Sequence, residues 1–170
     1  MEIADDKLKQ KAKMVVYAIY LTTQEFEKSV YGKIKEAKPI KELVIASEED
    51  KNFVEYITMV CFLFQAQKFF LERVIKDNKI ALRFEKYLYE VFQEITSLNP
   101  KEYISDIGEY IKKQGSEGEL MYLGSRICRQ LNKIDGILMA EINIQFAALL
   151  KYGFFESLKN AWEYKSENEK

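Results

Sequence analysis

Apolar positions along the chain recur at steps of three and four, and sustained two-residue alternation is nearly absent. Leu8, Ala12, Val15, Ile19, Thr22 and Phe26 form the seam of a helix that packs along another helix, and Val30, Ile34 and Ala37 continue it. This predicts one long helix over 5–37, closed before Pro39, whose ring cannot continue it. Thr22 followed by Glu25 offers an alternative start within that segment. The unbroken seam favours a single helix, with any bend placed there.

Ser47-Glu48-Glu49-Asp50 reads as a helix start, a hydroxyl cap followed by acids at the positive end of the dipole. The helix should run over 47–76, with Glu55, Thr58, Gln65, Glu72, Arg73 and Lys76 on one narrow polar side. Ile80, Phe84, Tyr87, Leu88, Val91, Phe92 and Ile95 make the stripe of a third helix. Asn99-Pro100-Lys101-Glu102 begins a fourth that buries Tyr103, Ile104, Ile107, Tyr110 and Ile111 and stops at Gly115. Ser116-Glu117-Gly118-Glu119 repeats the capping pattern ahead of Leu120, Leu123, Ile127, Leu131 and Ile134, where Gly124 suggests a close backbone approach.

The last segment, 136–164, is the most apolar. Asp135-Gly136 resembles a hairpin dipeptide, yet Glu141, Gln145, Tyr152, Glu156, Lys159 and Glu163 align on one helical side, which a strand would scatter. The expected architecture is therefore an all-α single-domain bundle of about six helices over residues 1–170. Segments 47–76 and 136–164 are its two long, mostly buried central helices, and residues 1–4 and 165–170 are expected to fray.

Composition narrows the chemistry. With no histidine, a Ser-His-Asp or Cys-His site and the Glu-x-x-His of di-iron bundles are impossible. Cys61 and Cys128 stand far apart in apolar stretches, which predicts buried reduced thiols, no metal and a cytoplasmic protein. Glu85, Glu90 and Glu94 fall on faces that look solvated, so no metal or other cofactor is expected. Gly115, Gly118 and Gly124 do not match a phosphate-binding spacing. The apolar run 57–64 is too short to span a bilayer, so no membrane insertion is expected.

Four groups of residues remain as candidates. Gln67 and Asn143 lie opposite the polar sides of their helices. They are either amides paired with a neighbouring helix, register-setting residues in an oligomer, or ligand-binding groups in an apolar cavity. Phe62 and Phe69, seven residues apart toward the polar side of theirs, should be covered either by the amino-terminal helix or by another subunit, which makes them the candidates for a partner interface. Arg126 and Arg129 could bind an anion. Lys7, Lys9, Lys11 and Lys13 form a basic start, but a net charge of −1 argues against nucleic-acid binding by the chain alone. Absent catalytic residue types and an excess of aromatics point to a non-enzymatic interaction or assembly subunit, with a protein partner or homo-oligomer. A domain enclosing an apolar small molecule is the alternative, and a helical subunit of a nucleic-acid-bound complex a further one.

Overall fold

A computed structural model describes residues 3–36, 47–115, 117–131 and 136–164. Among them are six helices and no strand: α1 (Asp5–Glu36), α2 (Glu48–Phe69), α3 (Asn78–Thr96), α4 (Lys101–Gln114), α5 (Gly118–Gln130) and α6 (Gly136–Glu163). The π-helical turn Phe70–Val74 extends α2, and another, Leu150–Phe154, interrupts α6. The chain is an all-α bundle, as its periodicity predicts.

The spine of the bundle is α1, which touches α2, α3 and both halves of α6. Its predicted seam is buried from Leu8 through Phe26. No second helix starts at the threonines. Thr22 Oγ1 donates to the Ala18 carbonyl at 2.9 Å and Thr23 Oγ1 to that of Ile19 at 3.0 Å, so both hydroxyls are satisfied inside the helix. The side chains of Val30 and Ile34, and the expected end at Ala37 and Pro39, lie outside the described residues.

Ser47 opens α2 with a complete capping box: it accepts from the Asp50 N–H at 3.1 Å while Asp50 accepts from the Ser47 N–H at 3.2 Å. The helical turns stop at Val74, two residues short of the expected Lys76. Asp77 then caps α3 by accepting from the N–H groups of Lys79 and Ile80. The predicted polar side of α2 is covered only along its first half, with Thr58 and Gln65 buried and Glu55 half-buried, while Glu72, Arg73 and Lys76 are exposed. Helix α5 lies over the covered part and supplies Glu119, which accepts from Gln65 Nε2 at 3.4 Å and from Lys68.

Helix α3 buries Phe84, Leu88, Val91 and Phe92 along the predicted stripe, but Ile95 in its last turn is exposed. Asn99 caps the start of α4 through the Lys101 N–H, and Gly115 ends that helix with φ +79°, a conformation that favours glycine. Only Ile107 of the five expected α4 core residues is fully buried; the others are half-buried. Leu123 and Ile127 hold α5 in the core, whereas Leu120 is exposed and Ser116 and Ile134 lie outside the described residues.

Gly124 has the role its position implied. A Cβ there would stand 2.6 Å from both Asn143 Oδ1 and the Met139 carbonyl, so α5 and α6 meet backbone to backbone.

Gly136–Glu163 is helical rather than a strand, while Asp135 lies outside the described residues. Burial in α6 is narrower than expected, following every fourth residue through Leu138, Ile142, Phe146, Leu150, Phe154 and Leu158. In an ideal α-helix a step of four drifts about 40° around the axis, so such a stripe would spiral off the core. The wider π turn at Leu150–Phe154 takes up much of that drift. Opposite the stripe, Ile144 and Tyr152 are exposed, so only α2 is buried nearly all round. Among the described residues α6 is also the one helix long and apolar enough, by length and composition, to cross a membrane. Only 28% of its most apolar stretch is buried.

Candidate interaction surface

The two phenylalanines proposed for an interface belong to the core. Phe62 is fully buried, its ring 6.3 Å from Phe26 and 4.9 Å from both Phe146 and Phe154. Phe69 stacks near Phe70 and Phe155. That side of α2 is roofed by α1 and α6 of the same chain, which leaves neither ring for a partner.

Both amides are engaged between helices. Gln67 donates to Glu85 and accepts from the Tyr89 hydroxyl at 2.7 Å, tying α2 to α3. The oxygen of Asn143 accepts from the Gly124 N–H at 2.9 Å, locking α6 to α5 at their closest approach. Neither amide lines any of the three clefts described below.

Arg126 and Arg129 do not form an anion cradle. Arg126 leans over Tyr103 and has its Nε 3.8 Å from Asp106, in a cleft of about 520 Å³ whose other charged side chains are Glu102 and Glu109. Three carboxylates around one guanidinium repel an anion. Arg129 is exposed further along α5. Tyr122 donates to Asp106 at 2.7 Å, and burial followed by that carboxylate pushes the phenol well above its usual range.

Of the amino-terminal lysines, Lys9 and Lys11 are tied into the bundle, while Lys7 and Lys13 are exposed. Lys9 pairs with Glu94 at 3.0 Å, and Lys11 reaches the Trp162 carbonyl with its ammonium 4.9 Å from that ring. Cys61 and Cys128 are buried, and burial raises the Cys61 thiol far above its usual range, making it inert. Among the described residues no three metal-ligating side chains gather at one place.

Besides the outer side of α6, the fold leaves apolar residues exposed on the outer face of α1. Tyr17 is 55% accessible, Leu21 49% and Tyr20 39%, framed along the helix by exposed Lys13, Glu25 and Lys28. An apolar centre within a charged rim is the usual anatomy of a protein contact. On one flank, the end of α6 and Tyr164 complete a shallow groove of about 370 Å³, lined by Met14, Tyr17, Ala18, Leu21, Ala161 and Tyr164 among others. On the other, Tyr20 joins Met59, Ile95 and Leu98 around a cleft of about 270 Å³.

Glu55 of α2 also lines that second cleft and accepts from Gln24 Nε2 at 3.2 Å, while Glu27 of α1 is half-buried. Burial, then the neighbouring Glu55 charge, raises the Glu27 carboxyl to about 7.

The groove residues Tyr17, Leu21 and Tyr164 were not singled out by the sequence reasoning. Their signal is present in the sequence: Tyr17 and Leu21 are four residues apart and lie off the α1 seam. Comparison with protein-family models, with curated proteins and with solved structures gives no match, so the geometry of the chain is the sole guide to its role.

Proposed function

We propose that the protein is a non-enzymatic helical interaction or assembly subunit that self-associates, with the outer face of α1 and the adjoining end of α6 as its contact surface. The observation that carries this reading is the cluster of Tyr17, Tyr20, Leu21 and Tyr164, all at least 39% accessible and gathered on the two flanks of one helix. Large apolar side chains in one patch favour removal from water, at about 25 cal/mol per Å² of apolar surface covered. A net charge of −1 opposes self-association only weakly. Several polar side chains are engaged within the bundle: the half-buried amides hydrogen-bond to neighbouring helices, Arg126 stands 3.8 Å from Asp106, and burial raises the Cys61 thiol.

Hydrogen exchange at low and high protein concentration tests the location of the contact. Amides of residues 14–25 and 157–164 should gain protection as concentration rises, while those of α4 do not. Uniform exchange at both concentrations would remove this surface from consideration.

A further inference from the structure

We draw no further inference here: the strongest candidate, the apolar outer side of α6 along which Ile137, Ile144 and Tyr152 are exposed, is a helix face that nothing in the structure shows to be covered by any particular partner.

Discussion

Two residues show how much depends on single atoms. Gly124 has no room for a methyl group, since a Cβ would press on Asn143 Oδ1 and on the Met139 carbonyl. Gly124→Ala should therefore cost about 1–3 kcal/mol in chemical denaturation, the range for overpacking against backbone. Asn143→Ala should cost about 1 kcal/mol for the lost hydrogen bond. The double variant should be less destabilised than the sum, because one of the two clashing atoms is gone while the Met139 carbonyl remains. Glu27 makes a prediction about pH. Its carboxyl titrates at about 7 in the folded chain against 4.5 as its ordinary value, so the folded state holds the proton more tightly. Stability should accordingly fall as pH rises from about 4.5 through 7 and then level off, by roughly 1–2 kcal/mol after solvent screening. Glu27→Gln should flatten that slope and be the more stable protein at pH 8; an unchanged slope in thermal melts between pH 5 and 8 would contradict this. The packing role of Gly124 was legible because a glycine inside an apolar helical stripe has few other uses. The Glu27 pairing was not, because it joins residues of two helices that no local pattern relates.

At the scale of elements, the helices were readable from their stripes and caps, and burial was readable only where a helix has a single apolar side. Ser47 caps α2 as its position predicts, Asp50 completes a reciprocal box with it, and Ser47→Ala should cost about 1 kcal/mol by removing it. The side chains at Phe62 and Phe69 were placed by angle alone, and angle does not reveal which helices lie overhead. With α1 and α6 covering that side, the Phe62→Ser/Phe69→Ser double variant should unfold rather than merely fail to associate. The expected loss exceeds the roughly 3–5 kcal/mol of a single Phe→Ala change in a core. Loss of cooperative melting by circular dichroism checks this, and a folded double variant would place the rings elsewhere. In α6 the information was present in the repeated step of four from Leu138 to Leu158, a spacing that an α-helix cannot keep on one face without a wider turn. The exposed Ile144 and Tyr152 escaped notice because a helix that is apolar all round gives no angular signal of which side meets the core.

For the whole molecule, the all-α class followed from periodicity, but the arrangement of the helices did not, since no residue pattern states that α1 would be the spine. That arrangement moves the candidate surface from α2, where the aromatics are buried, to the outer face of α1, where Tyr17 and Leu21 stand clear of the core seam. Self-association through this face is the central claim, and sedimentation equilibrium of the wild-type chain beside the Tyr17→Glu/Leu21→Glu variant tests it most directly. Both positions are exposed, so the variant should keep its helical circular dichroism. The wild type should show a mass that rises with concentration, and the variant should remain at the 20.0 kDa of one chain. A wild type that stays monomeric at millimolar concentration, or a folded variant that associates as the wild type does, would contradict the claim.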